Sequence, residues 1–435
     1  MKRILKDVLF IAILVCIVMV VMDNVYKKIG YGYFKKALYR SGVTFFTRDS
    51  TIKYTENNSY KIENKDYNNA TFYKKVKINK NTPYKISCMI KTENVEVLNK
   101  TCKNSGAKIC IIDHEEQSEA VIGTSDWKRV TLLFDSKENE ELNIGFMLGG
   151  DTNTGNVKGK AWFSDLQIEE GSFDNDNNWK FACFVFKNTD VNLFNTEFKY
   201  AMTNEDINQI TTCMERFKGS CQKLSSDKMT VSFKIIEIDT PITELTYDDS
   251  KGYYVDPENI SKIIKPYMEN ENFDHVFVCC RLSDNNSCIP NKNWIGLGGM
   301  EYMGRGFSNI RMPTKSYSSK YTYDDKSNKF LEEVYVHEFL HTLEHNSKKY
   351  NYCVPALHDN EKYGYEYKSE DGLYRWYNDY MSCNIGEDKK GLNERLYILK
   401  PLDEENFKSS KKLNEFEDVK NILERFKLVI ETINN

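Results

Sequence analysis

Histidine is scarce in this chain, and several familiar sequence signals are missing from it. The 435 residues include only six histidines, and no two cysteines have the C-x-x-C spacing, which argues against a zinc site built from cysteines. No long basic tract occurs and the net charge is −4, so we do not expect a nucleic-acid partner. With 40% hydrophobic and 29% charged residues, the composition is that of a globular protein, and the length suits two domains.

Four of the six histidines lie close together, at positions 337, 341, 345 and 358. His337, Glu338 and His341 form an H-E-x-x-H motif. Histidines four residues apart lie on one face of a helix, where both can bind one zinc ion. The apolar residues around the motif recur with a helical period: Phe330, Leu331, Val334, Val336, Leu340 and Leu343. We therefore expect a zinc site in which Glu338 takes a proton from a metal-bound water, rather than a core helix with incidental histidines.

The first 25 residues predict a membrane anchor. Lys2, Arg3 and Lys6 precede an unbroken apolar run from Val8 to Met22, which approaches the ~17 residues that can cross a bilayer. The positive-inside rule then keeps the N-terminus in the cytoplasm and places the remaining chain outside. Because no small-x-small cleavage site follows the run, we expect a single-pass protein of the cell membrane with extracellular domains; cleavage would instead give a secreted protein.

Export changes the interpretation of the twelve cysteines, eleven of which follow the predicted anchor. In an oxidising exterior, cysteines with a recurring spacing are plausible disulfide partners. Three pairs share one spacing, and a fourth pair flanks the region after the motif helix: Cys102/Cys110, Cys213/Cys221, Cys280/Cys288 and Cys353/Cys383. We expect disulfides among these residues, with the odd total leaving at least one cysteine outside them.

Residues 26–171 are predicted to form an all-β domain. Polar and apolar residues alternate in short runs, for example at 71–78, 84–90 and 128–134, and turn residues separate these runs at the intervals found in β-sandwiches.

Three stretches of this domain resemble jelly-roll carbohydrate-binding modules: residues 80–84 at the start of a strand, residues 124–127 before another strand, and residues 159–171 at the end of the domain. The resemblance implies a jelly-roll fold and a glycan partner. Sugars stack on exposed aromatic rings in such modules, and Trp127 and Trp162 are the residues that we consider for this contact. Packing of both tryptophans inside the sandwich, and a purely structural spacer domain, are the alternatives.

Polar residues 172–178 predict a linker, and residues 179–435 follow a mixed α and β pattern. Strand patterns alternate there with helices that begin near Thr203 and Asp256. The regular apolar period of residues 413–433 predicts a terminal helix packed on the core.

A glycine-rich stretch at residues 294–310 precedes the motif helix. We expect it to be an edge strand that pairs with extended substrate, or else a loop without a substrate role. This order of elements resembles the zincin metallopeptidases, which implies that residues 179–435 are a zincin-like α+β catalytic domain that binds Zn²⁺. The chain departs from the metzincin subgroup, whose pattern requires glycine and histidine where this chain has Glu344 and Ser347.

The third zinc ligand must therefore lie elsewhere. His345 would be ~12 Å from His337 along a helix axis, at 1.5 Å per residue, which is too far for one ion. A turn at residues 355–365 instead brings further ligand types together after the helix. In order of preference, we expect the third ligand to be His358, Asp359 or Glu361.

Other residues are expected to support this site. If His358 binds the metal, Asp359 can still orient a ligating imidazole. Tyr363 or Tyr365 can donate a hydrogen bond to the developing oxyanion, although packing is the alternative for each. His275, alone at the start of a strand, is expected to be a satisfied polar residue rather than a ligand.

These features together predict a multidomain protein: a transmembrane helix, a jelly-roll sandwich and a zincin-like domain. We expect a membrane-anchored extracellular zinc metallopeptidase that hydrolyses protein or glycoprotein substrates, directed to glycan or cell wall by its sandwich. The alternatives are a non-catalytic glycan-binding adhesin with a structural zincin-like domain, and a zinc amidase that acts on peptidoglycan.

Overall fold

The computed structural model describes residues 35–99, 102, 104–112, 114, 116–150, 155–171, 176–292, 294–312, 332–366, 372–400 and 407–412. They form two compact units, which divide between Ser172 and Phe173, and the chain from Phe407 belongs again to the first unit. The predicted anchor and terminal helix lie outside the described residues. Within the described part of the chain, no helix is both long and apolar enough to span a bilayer.

The first unit is a β-sandwich. Its strands are β1 (Lys35–Leu38), β2 (Thr44–Asp49), β3 (Ser59–Asn68), β4 (Ala70–Lys77), β5 (Pro83–Val97), β6 (Gly106–Ile111), β7 (Gly123–Asp135), β8 (Glu141–Gly149) and β9 (Val157–Gly171). One sheet has the order β1-β4-β8-β6 and the other β2-β3-β9-β5-β7. Successive strands from β3 to β9 alternate between the two sheets, as in a jelly roll.

The apolar residues of both sheets meet in one core, which explains why the alternating pattern was visible in the sequence. The rings of Phe146 on β8 and Phe163 on β9 stack across the two sheets with centroids 5.0 Å apart. The predicted jelly-roll sandwich is therefore confirmed.

The predicted second domain ran to the C-terminus, but the strand Phe407–Lys412 belongs to the first unit, where it pairs antiparallel with β9. Its partner lies more than two hundred positions earlier in the chain, and backbone pairing of this kind leaves no local sequence pattern.

The second unit combines a mixed sheet with helices. Its strands are β10 (Asn178–Phe186), β11 (Asn188–Leu193), β12 (Thr196–Ala201), β13 (Thr230–Ile238), β14 (Thr246–Asp248), β15 (Gly252–Tyr254), β16 (His275–Cys280), β17 (Gly296–Tyr302) and β18 (Arg305–Arg311). Its helices are α1 (Asn204–Leu224), α2 (Pro257–Asn270), α3 (Glu333–Lys349) and α4 (Gly372–Met381).

The main sheet has the order β13-β10-β16-β18-β17. The first four strands are parallel, whereas β17 is antiparallel to β18 and forms the edge. Helix α2 packs on one face, against residues such as Phe184 and Val278. Helices α1 and α3 pack on the other face, where Phe217 and Phe339 contact Phe181.

Two helices begin where the sequence predicted. The side chain of Thr203 accepts a hydrogen bond from the backbone of Asp206, whose carboxylate accepts one in return from the Thr203 backbone. Asp256 and Asn259 form the same reciprocal arrangement at the start of α2. Because such caps satisfy exposed backbone N–H groups locally, they could be recognised without knowing the fold.

The predicted disulfides are wrong: the eleven described cysteines are all thiols. Cys213 and Cys221 both lie on α1, where eight residues correspond to ~12 Å along the axis, beyond the reach of a disulfide. Cys280 and Cys288 lie on different elements and contact side-chain amides, of Asn309 and Asn291 respectively. The recurring spacing in the sequence therefore did not correspond to disulfide pairing.

Candidate metal centre

Helix α3 carries the H-E-x-x-H motif and is fixed by the core of the second unit. The ring of Phe339 lies 5.0 Å from those of Trp179 and Phe181. Glu332, just before the helix, forms an ion pair with Arg216 of α1 at 2.7 Å. These contacts fix the position and the rotation of the helix. His337 and His341 remain partly exposed on it, one turn apart.

His358 completes a triangle with these two histidines. The candidate ligand atoms of His337, His341 and His358 all lie within 4.8 Å of one another. Their ring centroids are separated by 4.9, 5.0 and 5.1 Å, so the three imidazoles surround one point. Three histidines with a further position open to solvent are one of the known ligand sets of catalytic zinc.

The protonation states of the histidines suit a metal. Burial lowers the pKa of His337 to about 3, and the neighbouring histidines act in the same direction. Burial also lowers the pKa of His358. Both imidazoles are therefore neutral near pH 7, and a neutral imidazole is the form that binds a metal. The donor set and its charge state fit Zn²⁺.

Two hydrogen-bonding partners orient the histidines of α3. The Nδ1 atom of His337 lies 2.9 Å from the Tyr377 hydroxyl, and that of His341 lies 3.5 Å from the Glu344 carboxylate. With Nδ1 engaged, Nε2 is the nitrogen left for the metal in both residues. Although burial raises its pKa, hydrogen bonds from His341 and Lys348 hold the Glu344 carboxyl at a pKa of about 2, so it is ionised.

Helix α4 holds the loop that carries His358. Its Trp376 indole N–H donates to the carbonyl of Leu357 at 2.9 Å, and its Tyr380 hydroxyl donates to the carbonyl of Pro355 at 3.1 Å. Tyr377 of the same helix contacts His337. One helix thus positions two of the three histidines. This helix was not predicted from the sequence, although the aromatic residues at 376, 377 and 380 share helical spacing.

Glu338 is only 5% exposed and packs against the edge strand β17. The backbone N–H of Gly298 donates to its carboxylate, and burial raises its pKa to about 7. A Cβ atom at Gly296 would lie 2.4 Å from the Glu338 carboxylate, and one at Gly298 would lie 2.6 Å from its backbone carbonyl. Both glycines are therefore required for the close approach of strand and helix.

A cavity of ≈ 260 Å³ opens beside the histidines and Glu338. Its wall consists of residues from the β17 region, from α3, from the His358 loop and from α4: Trp294, Ile295, Gly296, Glu333, Val334, His337, Glu338, Leu357, His358, Asn360, Leu373, Trp376 and Tyr377. The predicted edge strand and the predicted zinc helix thus border the same space.

The other predicted ligands do not join the triangle. The Asp359 carboxylate pairs with Lys362 at 3.2 Å instead, and Glu361 is exposed to solvent. The Nε2 atom of His345 lies 3.6 Å from the carboxylate of Glu301, as expected for a residue one turn too far along the helix. Of the three alternatives for the third ligand, the structure brings only His358 to the motif.

The two predicted oxyanion donors have other contacts. Tyr363 stacks on Trp376 with centroids 6.0 Å apart, and the Tyr365 hydroxyl donates to Asp379 at 2.6 Å. These contacts agree with a structural role for both tyrosines, and their role as oxyanion donors stays a prediction. His275 is fully buried and hydrogen-bonds Ser308 at 3.2 Å and Thr342 at 3.1 Å, as expected of a satisfied polar residue.

The two tryptophans of the sandwich differ in exposure. Trp162 is 2% exposed and donates to Asp49 at 2.9 Å, so it packs inside the unit and cannot contact a sugar. Trp127 is partly exposed, and its ring lies 5.8 Å from that of Tyr54, which is 49% exposed. Of the two tryptophans, Trp127 is therefore the one that a glycan could reach.

No protein-family model matches the sequence, and no curated protein shows significant similarity to it. The chain is similar to a solved carbohydrate-binding module, TmCBM61, in complex with β-1,4-galactotriose (10% identity, TM-score 0.24, covering 33% of this chain and 92% of that one). It is also similar to a family 11 carbohydrate-binding module from Clostridium thermocellum in complex with a β-1,3-1,4-mixed-linked tetrasaccharide (14% identity, TM-score 0.22, covering 32% and 89%).

A third similar structure is the enzymatically active domain of tailspike protein 4 from bacteriophage CBA120, with 10% identity and a TM-score of 0.24. The match covers 31% of this chain and spans only 19% of the tailspike chain. TM-scores of this size establish no relationship by themselves. The jelly-roll assignment of the first unit rests on its own strand order.

Proposed function

We propose that this protein is a zinc-dependent hydrolase that cleaves peptide bonds. The observation that carries the proposal is the convergence of His337, His341 and His358 beside the buried carboxylate of Glu338. Zinc, when bound, supplies a Lewis acid that polarises water and a carbonyl group. A merely structural zinc site has no use for a base between two of its ligands.

In this proposal, Glu338 moves the proton. The Gly298 N–H and the packing against β17 fix its carboxylate, so no reorganisation is needed when it accepts a proton from the attacking water. The same carboxyl then delivers the proton to the leaving amine. Hydrolysis of a peptide bond needs both transfers, and one residue performs them in sequence.

Strand β17 offers a binding surface for an extended peptide. It is the edge of the five-stranded sheet and has a strand partner, β18, on one side only in the described chain. A substrate that adds to this edge by backbone hydrogen bonds runs past the cavity bordered by Gly296 and Glu338.

We further propose that residues 1–25 anchor these units outside the cell.

The substitution Glu338→Gln tests this proposal. It removes the base but keeps size and hydrogen bonding, so we expect hydrolysis of a labelled protein substrate to fall by at least about 10²-fold while zinc stays bound. Glu361→Gln, at an exposed carboxylate near the site, is the matched control and should retain activity. Undiminished hydrolysis by Glu338→Gln contradicts the mechanism, and release of murein rather than protein fragments supports the amidase alternative.

A second function, glycan binding by the sandwich, is favoured by the exposed pair of Tyr54 and Trp127. Ring faces of this kind stack on the apolar faces of sugars. On a glycan array, Trp127→Ala should weaken binding roughly tenfold, whereas Tyr39→Ala, at another exposed tyrosine of the unit, should not. Equal binding by both variants contradicts this assignment. Glycan binding without hydrolysis by the wild type supports the adhesin alternative.

A further inference from the structure

The cavity beside the histidines is small. Its volume of ≈ 260 Å³ lies near the lower end of the about 300–1,000 Å³ that is typical of small-molecule sites, and it is large enough for one long side chain. Its wall includes His337, Glu338 and His358. If the proposed function is correct, a substrate with its scissile bond at these residues places a neighbouring side chain in the cavity.

Away from the histidines and the carboxylates, the cavity wall is mainly apolar. The indole N–H of Trp294 donates to the carbonyl of Lys251 at 2.9 Å, and that of Trp376 donates to Leu357, so both rings present only their carbon surface. Ile295, Val334 and other aliphatic residues complete this lining. Such a wall stabilises an aliphatic stem by removing it from water.

Two acidic residues interrupt the apolar wall: Glu338, beside the histidines, and Glu333. Glu333, in the first turn of α3, lines the cavity, which has no lysine or arginine in its wall. The Glu333 carboxylate accepts one hydrogen bond, from Tyr377 at 3.5 Å, which is long for an O–H···O contact. No cation among the described residues pairs with it. A carboxylate that is partly withdrawn from water without a counter-charge favours a cation.

We propose that this cavity binds a lysine or arginine side chain of the substrate, adjacent to the scissile bond, with Glu333 as the counter-charge. Lysine and arginine combine an aliphatic stem with a cationic head, which matches an apolar wall that ends in a carboxylate. The zinc-dependent peptidase proposed above is therefore specific for basic residues.

Binding of two dipeptide hydroxamates that differ only in one side chain, lysine or norleucine, tests this proposal. Norleucine has nearly the same shape as lysine without the charge. Isothermal titration of the zinc-loaded full-length protein should show the lysine compound binding at least tenfold more tightly. Glu333→Gln should reduce this preference to within about twofold, whereas Glu215→Gln, at an exposed acid on α1 outside the cavity, should retain it.

Each other result overturns the proposal. Equal or tighter binding of the norleucine compound contradicts the charge match, and an unchanged preference in Glu333→Gln contradicts the role of Glu333. If the zinc-loaded protein binds neither compound, the proposed pocket for a basic side chain is contradicted. The catalytic role of Glu338 is tested separately by Glu338→Gln. A folded wild type without zinc contradicts both the pocket and the peptidase.

Discussion

The two units of this protein use their buried polar side chains differently. In the sandwich, Asn64 is buried and donates to the carbonyls of Asn68, Leu148 and Val157, so its polarity connects strands of the scaffold. In the second unit, Glu338 and Glu344 are buried around a group of histidines instead. Burying such groups costs free energy unless they are paired, so a concentration of them in one place indicates a site.

The two units also differ in where they can bind a ligand. The sandwich has an apolar core, and the aromatic pair Tyr54 and Trp127 lies on its surface. The second unit has a cavity lined by ionisable residues. The expected effects of pH and of metal ions therefore belong mainly to the second unit.

The largest expected effect is a loss of stability of the second unit at acid pH, caused by the buried residue His275. Burial lowers its pKa to about 3, below the value of about 6.5 in the unfolded chain, so the unfolded state alone binds this proton between those pH values. Stability of the metal-free second unit should therefore fall by on the order of a few kcal/mol as pH drops from 6.5 towards 3.

Denaturant unfolding of metal-free wild type and His275→Asn across this pH range measures the effect. Asparagine has no proton to gain, so the variant should show a shallower loss of stability at acid pH, whatever its stability at pH 7. Parallel pH profiles for the two proteins would show that His275 does not carry this dependence. The sandwich transition provides an internal reference, because Ser308 and Thr342, which hydrogen-bond His275, belong to the second unit.

The next effect concerns Tyr377, which orients His337. Tyr377→Phe removes the hydroxyl that contacts Nδ1, and loss of such a partner typically lowers metal affinity 10–100-fold. Competition with a chelator of known affinity measures the change. Tyr374→Phe, on the same helix but outside the cavity wall, is the control. Equal zinc affinity in Tyr377→Phe and wild type would contradict the proposal that α4 orients a metal ligand.

Much of the fold was predictable because its signals are local. Alternation at period two identified the strands of the sandwich, and the caps at Thr203 and Asp256 identified two helices. The strand Phe407–Lys412 was not predictable, because its place depends on a partner that is distant in sequence. Disulfide pairing failed for a related reason: spacing along a helix such as α1 does not bring side chains together.

The candidate site, too, was predictable only where its signals are local in the sequence. His337 and His341 were predictable because four residues make about one helical turn, and His358 was the first of three alternatives because it lies in a turn with other ligand types after the helix. The residues that hold them were not predictable. Tyr377 and Trp376 act through contacts with residues 40 and 19 positions away, which no local pattern encodes.

Zinc content per chain tests the central claim most directly. It should be measured on purified wild type and on His341→Ala, His358→Ala and Asp359→Ala. We predict one zinc in the wild type and in Asp359→Ala, and its loss in both histidine variants, because the three histidines converge while Asp359 pairs with Lys362. A folded wild type without zinc, or zinc retained by His358→Ala and lost by Asp359→Ala, would contradict the account.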